Sequence, residues 1–241
     1  MKSILVTGAG KGIGLATTIS LINEGYFVFA LIKNKKDNKK FKNFKNIKIF
    51  NGNVNNIKKI SSIIEYSNRV KNPITGLVNN AGIRQRKNFL KIGKKDLENI
   101  FETNFFSVFK IMQIFSKNLI KKKMKGSIVN IASIVGQSGF SELSAYGSTK
   151  GAIISLTKSF AVEFAKKNIR ANCVSPGFTK TSFYEKFKKK KKLYKWTIDR
   201  IPLAKWGEPS DVADTVCFLI SDKSNYINGE NINVDGGWLS A

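Results

Sequence analysis

Histidine is absent from this chain of 241 residues. That absence removes Ser-His-Asp hydrolysis and histidine-ligated metal sites from consideration. Cysteine is scarce as well: Cys173 and Cys217 are the only two, each inside an apolar segment. They read as buried free thiols of a reducing compartment rather than a disulfide framework. No cluster of Cys, Asp or Glu has metal-ligand spacing. No segment approaches the roughly 18 continuous apolar residues of a membrane span. Acidic residues are few, 16 against 42 Lys and Arg, which leaves a net charge of +26. Such a surplus invites nucleic acid as a partner. The lysines, however, are spread over nearly every segment among many Asn and Ile residues. The aromatics are mostly Phe within apolar runs, not interleaved with the basic clusters as base stacking requires. The charge therefore reads as a solvated surface with no specific nucleic-acid partner. Met1-Lys2-Ser3 runs directly into an apolar strand, leaving no room for a signal peptide, so the expected location is cytoplasmic.

What the chain does have is alternation. Short apolar runs predict strands near 3–7, 26–32, 46–51, 74–78, 126–132, 169–174 and 230–234. Apolar-periodic segments between them predict helices near 12–23, 56–68, 94–122, 144–166 and 208–221. This order predicts an α/β fold: one domain over 1–241, a doubly wound parallel sheet with helices on both faces. The exception is 178–207, which interrupts the last crossover and carries Lys186, the run Lys188 to Lys192, and Lys195. A long excursion beside the carboxyl edge of a sheet reads as a substrate lid.

The polar motifs fall at the strand ends. After the strand Ser3–Thr7 come Gly8, Gly10, Lys11, Gly12, Ile13 and Gly14, then a helix. Strand, glycine turn and helix make the layout in which backbone N–H groups receive a pyrophosphate. The spacing departs from G-x-G-x-x-G, since Ile13 stands where its third glycine falls, and fits T-G-x-x-x-G-x-G. Asn79-Asn80-Ala81-Gly82 ends another strand, Ser133 a third, and Pro176-Gly177-Phe178 leads from a fourth to Thr181. In open parallel sheets the ligand crevice lies beyond the carboxyl ends of the strands, so these segments are expected to converge. Asn104 lies within a predicted helix, an odd place for a residue indifferent to helix. Tyr146 and Lys150 share one helix face, one turn apart. An ammonium beside a phenol favours the phenolate, and a phenol so tuned hands a proton to a carbonyl oxygen near neutral pH.

Taken in order, these motifs and the tail Asn233-Val234-Asp235-Gly236-Gly237 closely resemble the short-chain dehydrogenase/reductase family over essentially the whole chain. The resemblance implies a Rossmann-type fold and hydride transfer between a nicotinamide and a ketone or secondary alcohol. It implies Tyr146 as acid and base, Lys150 as the cation that lowers its pKa and binds the nicotinamide ribose, and Ser133 as the carbonyl-oxygen partner. Asn104 would place a water behind Lys150. The Pro176-Gly177-Phe178 backbone and Thr181 would fix the carboxamide, while Asn53 and Val54 would meet the adenine. Cofactor choice follows from charge, since a 2′-phosphate needs cations where the second strand ends. That strand ends without Asp or Glu, Lys33 follows at once, and Lys11 lies in the glycine turn. NADP(H) is expected over NAD(H).

Two branches of the family resemble the chain. The first is the 3-oxoacyl-[acyl-carrier-protein] reductases, in which Lys166 and Lys167 would face an acidic carrier, although Ser127 stands where that branch often has a basic residue. The second is the gluconate and keto-sugar-acid dehydrogenases, on Arg84 and Arg86 after the Asn-Asn-Ala-Gly motif; either arginine would pair with a sugar carboxylate. A thioester on the carrier protein or a small-molecule ketone is the expected substrate. A catalytically silent dinucleotide-binding regulator would lack Tyr or Lys of the set, and this chain keeps both. By analogy the long helices and the tail imply a homotetramer.

Overall fold

The computed structural model describes residues 2–182 and 184–241; Phe183, inside the expected lid, and Met1 lie outside the described residues. Seven strands, β1 (Ser3–Thr7), β2 (Phe27–Ile32), β3 (Ile47–Asn51), β4 (Ile74–Asn79), β5 (Gly126–Ile131), β6 (Ile169–Pro176) and β7 (Asn231–Val234), form one sheet in the order β3-β2-β1-β4-β5-β6-β7. Every pairing is parallel. Apolar side chains leave β1 on both faces, Leu5 into one core cluster and Ile4 and Val6 into the other. Such strands need helices on both sides. Helices α2 (Ile57–Arg69), α4 (Ser107–Lys121) and α5 (Ser144–Phe164) cover the first face. Helices α1 (Gly12–Asn23) and α8 (Pro209–Ile220) cover the second. The chain winds outward from β1 to β3, then returns to the other side of β1 with β4. That reversal opens a crevice at the carboxyl ends of β1 and β4.

One expected helix is in fact three pieces. Where periodicity predicts 94–122, the structure has α3 (Lys94–Phe101), a π-helical turn at Glu102–Phe106, and α4. The excursion at 178–207 contains α6 (Tyr184–Lys188) and α7 (Lys191–Arg200), and its lysine run lies exposed across the junction. Its two roots are joined: Gly207 N–H donates to the Phe178 carbonyl and Lys180 N–H to the Gly207 carbonyl, both at 2.9 Å. A third apolar cluster ties it to the body through Ile134, Ile201, Trp206 and Trp238. All three tryptophans of the chain gather here, with the Trp196 ring 5.5 Å from that of Trp238. Among the described residues no helix is long and apolar enough to cross a membrane and no His/Cys/Asp/Glu group could hold a metal ion. Both cysteines are free and buried.

Candidate active site

Thr7 joins the two strand ends at the crevice. Its hydroxyl donates to the Val78 carbonyl at 3.3 Å and accepts from Asn80 N–H and Ala81 N–H, both at 3.1 Å. The Asn80 side chain donates back to the carbonyls of Thr7 at 3.0 Å and Gly8 at 3.1 Å. Glycine is required beside this cross-link. A Cβ on Gly14 would stand 2.3 Å from Asn80 Nδ2 and 2.3 Å from the Gly8 carbonyl oxygen. Gly8 itself has φ +67°, a conformation that side chains disfavour. Helix α1 starts at Gly12 with no side-chain cap from Lys11. The sterically bare turn and the uncapped helix start fit the pyrophosphate of a dinucleotide.

Past the end of β2 lies a group that inspection of the strand missed. Although β2 ends without an acid, a short 3-10 helix at Lys35–Phe41, capped by Asn34, brings Asp37 back against Gly10. The Lys40 ammonium donates to the Asp37 carboxylate and to the Gly10 carbonyl, both at 2.8 Å. A buried carboxylate is therefore present at the turn, held in an ion pair. Lys33 is exposed immediately past β2. Asn53 is exposed too, its Oδ1 accepting from Asn55 N–H at 3.1 Å, while Val54 is buried.

Beyond the carboxyl ends of β1, β4, β5 and β6 lies a cavity of about 460 Å³. Gly8, Lys11, Gly12 and Ile13 line one end, and Asn80, Ala81, Gly82 and Arg84 one side. Ser133, Tyr146 and Lys150 form the back wall, and Pro176, Gly177, Phe178 and Thr181 complete the lining. Thr181 faces the glycine turn, its Cγ2 3.2 Å from where a Cβ of Gly12 would be. The sequence did not single out Ile134, Val135, Phe140 and Leu143, which supply apolar wall between Ser133 and Tyr146. The only signal for them was their position between two motif residues. Arg86 is not part of this wall: it turns away to pair with Glu142, Nε to Oε2 2.7 Å.

The polar groups at the back wall are tightly tied. The Lys150 ammonium donates to the Ile131 carbonyl at 2.6 Å and lies 5.8 Å from the Tyr146 ring centroid. Burial pushes its pKa down to about 8. Tyr146 differs from the sequence expectation: burial raises its pKa, opposed by the hydrogen bond from Ser133 and the charge of Arg84. The reason is that the phenol loses water while Lys150, itself desolvated, is directed at Ile131. Asn104 sits in the π-helical turn, a distortion that often marks functional sites. Its Oδ1 accepts from Ile83 N–H at 2.8 Å, and its Nδ2 donates to the Ile83 carbonyl at 2.9 Å and Thr149 Oγ1 at 3.1 Å. The Thr149 hydroxyl then donates to the Tyr146 carbonyl at 2.7 Å. Asn104 thereby locks the segment after Gly82 to the helix that carries Tyr146.

A glycine turn for a pyrophosphate and a half-buried phenol at the end of one cleft define a dinucleotide-dependent oxidoreductase. The chain belongs to the short-chain dehydrogenase/reductase family. A family model described as enoyl-(acyl carrier protein) reductase matches residues 8–239. The chain is 36% identical over 241 residues to the 3-oxoacyl-[acyl-carrier-protein] reductase of Thermotoga maritima, covering 98% of this chain and 97% of that one. A solved structure described as a 2-deoxy-D-gluconate 3-dehydrogenase from Agrobacterium tumefaciens, with bound NADP, has a TM-score of 0.90 at 29% identity, covering 100% and 97%. A 4-hydroxyisoleucine dehydrogenase mutant complexed with NADH and succinate has a TM-score of 0.94 at 32% identity, covering 100% and 99%. The protein is an oxidoreductase of CH–OH donors, using a nicotinamide dinucleotide to interconvert a ketone and a secondary alcohol.

Proposed function

We propose that the enzyme uses NADP(H) in preference to NAD(H) and that Tyr146, Ser133 and Lys150 carry its proton chemistry. The observation behind this reading is the convergence of the glycine turn and the Ser133–Tyr146 pair on one cavity. The cofactor supplies and accepts the hydride. Gly8 to Gly14 would hold its pyrophosphate, with Lys11 and Lys33 as the cations for a 2′-phosphate and Asn53 and Val54 at the adenine. Asn80, Ala81, Gly82, Pro176, Gly177, Phe178 and Thr181 would bound its nicotinamide half. Tyr146 gives its phenolic proton to the carbonyl oxygen in reduction and takes it back in oxidation. Ser133 shares that oxygen and stabilises the charge developing on it. Lys150, carrying a proton below pH about 8, would bind the nicotinamide ribose. Asn104 supports the site by fixing Ile83, in addition to any water it places.

Two substrate readings stand. A 3-oxoacyl thioester on a carrier protein is favoured by the 36% identity to a reductase of that name. A keto acid of the sugar-acid type is favoured by the placement of Arg84 in the cavity wall. The excursion at 178–207 is a lid by this reading, with Phe178 at its hinge, and the chain works as a cytoplasmic homotetramer. The test is initial rates of NADPH oxidation with acetoacetyl thioesters of carrier protein or coenzyme A and with 5-ketogluconate, with NADH controls. Turnover of the thioester alone supports the first substrate, of 5-ketogluconate alone the second. Consumption of neither coenzyme with any activated ketone would sink the assignment of roles.

A further inference from the structure

Gly10 is a glycine because another part of the chain occupies the space beside it. A Cβ there would stand 3.0 Å from Asp37 Cβ, 3.0 Å from Ile32 Cγ2 and 3.1 Å from Asp37 Oδ2. Asp37 belongs to the 3-10 helix Lys35–Phe41, and the same helix holds Gly10 by its backbone. The Lys40 ammonium bridges the Asp37 carboxylate and the Gly10 carbonyl, 2.8 Å to each. From these contacts we infer that Lys40 is a positioning residue, with Asp37 as its counterion, that sets the glycine turn for a pyrophosphate. The inference rests on the proposed role of Gly8 to Gly14 and on no choice of substrate.

The 3-10 helix is anchored at three points apart from the turn. Asn34 caps it, accepting from Lys36 N–H at 3.1 Å. Asn38 and Asn51 exchange side-chain amide hydrogen bonds, both 3.0 Å, and Asn51 also donates to the Ile32 carbonyl at 3.3 Å. Phe41 is buried in the core on the α1 and α8 side of the sheet. An ammonium hung from a segment fixed in this way holds its acceptor in place. The peptide group is planar, so fixing the Gly10 carbonyl also fixes the Lys11 N–H on the opposite edge of the same plane. Lys11 leads into α1 and lines the cavity. Backbone donors at a helix start are what an anion meets there. The Asp37 side chain is 11% exposed and that of Lys40 35%, so water weakens the attraction between them. The value of the pair is geometric: the carboxylate keeps the ammonium on the carbonyl and away from solvent. Lys40 differs in this from the exposed Lys33, which has no such tie.

Calorimetric titration of the whole chain with NADP+, NAD+ and ADP-ribose tests this without turnover. Lys40→Met should weaken all three by a common factor, on the order of five- to tenfold. A cation that served the 2′-phosphate would affect NADP+ alone. Lys39→Met removes the same charge from an exposed neighbour that makes no bond to Gly10, and should leave every affinity within about twofold. Lys40→Arg keeps the charge and a donor, and should recover part of the loss. Asp37→Asn should weaken the three ligands in the wild type and change nothing further in Lys40→Met, because it acts through Lys40. Four results would each overturn the inference: unchanged affinities in Lys40→Met, a loss confined to NADP+, an equal loss in Lys39→Met, or an Asp37→Asn effect that persists in Lys40→Met. A wild type that binds none of the three would overturn the reading of the turn, and the inference with it.

Discussion

The ammonium of Lys150 donates to the carbonyl of Ile131 at 2.6 Å, so helix α5 is stapled to the end of β5 by a buried charge. Burial lowers the pKa of this lysine from 10.5 to about 8. Between those values the unfolded chain binds more protons than the folded one, so wild-type stability rises with pH across that window. Below pH 8 the desolvation cost is fully present, at most about 3 kcal/mol. Lys150→Met removes it and forfeits one hydrogen bond of about 1 kcal/mol. The variant should therefore be more stable than wild type at pH 7, by about 1–2 kcal/mol. The gain should shrink through pH 8 and reverse slightly near 10.5. Urea unfolding at pH 7 and pH 10 checks this. Cys173, whose thiol burial pushes up to about 11, loses stability above pH 9 in both proteins, and because the Lys150 charge lowers that pKa in the wild type, the pH 7 comparison, where the thiol stays protonated in both, carries the prediction.

Removing the phenolic oxygen should separate binding from chemistry. Tyr146→Phe keeps the ring and the packing, so the dinucleotide Kd is expected within about twofold of wild type, while kcat falls by at least about 100-fold. Fluorescence titration with NADPH and steady-state rates measure the two effects. Wild-type kcat in this variant would remove Tyr146 from its role.

A methyl group at position 14 has nowhere to go. Gly14→Ala would place a carbon 2.3 Å from both Asn80 Nδ2 and a backbone oxygen. Overpacking of this kind costs about 1–3 kcal/mol. The fold should survive with a lowered Tm, and NADPH affinity should fall steeply, because the turn and the end of β4 must part. Calorimetry of melting and of cofactor binding reads both.

Charge reversal tests the choice of coenzyme. Lys33→Glu should weaken NADPH binding on the order of tenfold or more and leave NADH within about twofold, since it repels the 2′-phosphate; Lys11→Glu, beside the turn that would hold the pyrophosphate, should weaken both coenzymes and NADPH the more. Tighter binding of NADH than NADPH by the wild type would contradict the preference. In that event the Asp37–Lys40 pair at Gly10 becomes the place to look.

Much of this was legible before any coordinates. The boundaries of β1 and α1 follow from an apolar run, a glycine turn and a 3.6-residue period, all local signals. What escaped was decided by distant partners. The π-helical turn at Glu102–Phe106 leaves no mark on periodicity, because its function is to let Asn104 reach Ile83, 21 residues away. Asp37 is invisible at the end of β2 because a 3-10 helix must first fold it back onto Gly10. Arg84 and Arg86 look equivalent in sequence, but Arg84 lines the cavity while Arg86 turns to Glu142. The phenol of Tyr146 was expected to be more acidic beside Lys150. Spacing along a helix reports who the neighbour is, but not how much water both have lost.

The gathering of Trp206 and Trp238 around Phe178, with Trp196 against Trp238, gives the unmodified chain an optical reporter. Phe178 follows the Pro176-Gly177 turn at the cavity, and its ring lies 5.1 Å from Trp206 and 4.9 Å from Trp238. Light absorbed near 295 nm is taken up by these three indoles (roughly, the red edge beyond tyrosine) and by no group in the sheet. Emission from the native protein is therefore a readout of one corner of the molecule, the one that borders the cavity through Phe178. Ligand-induced rearrangement there can be followed by stopped flow without attaching a dye.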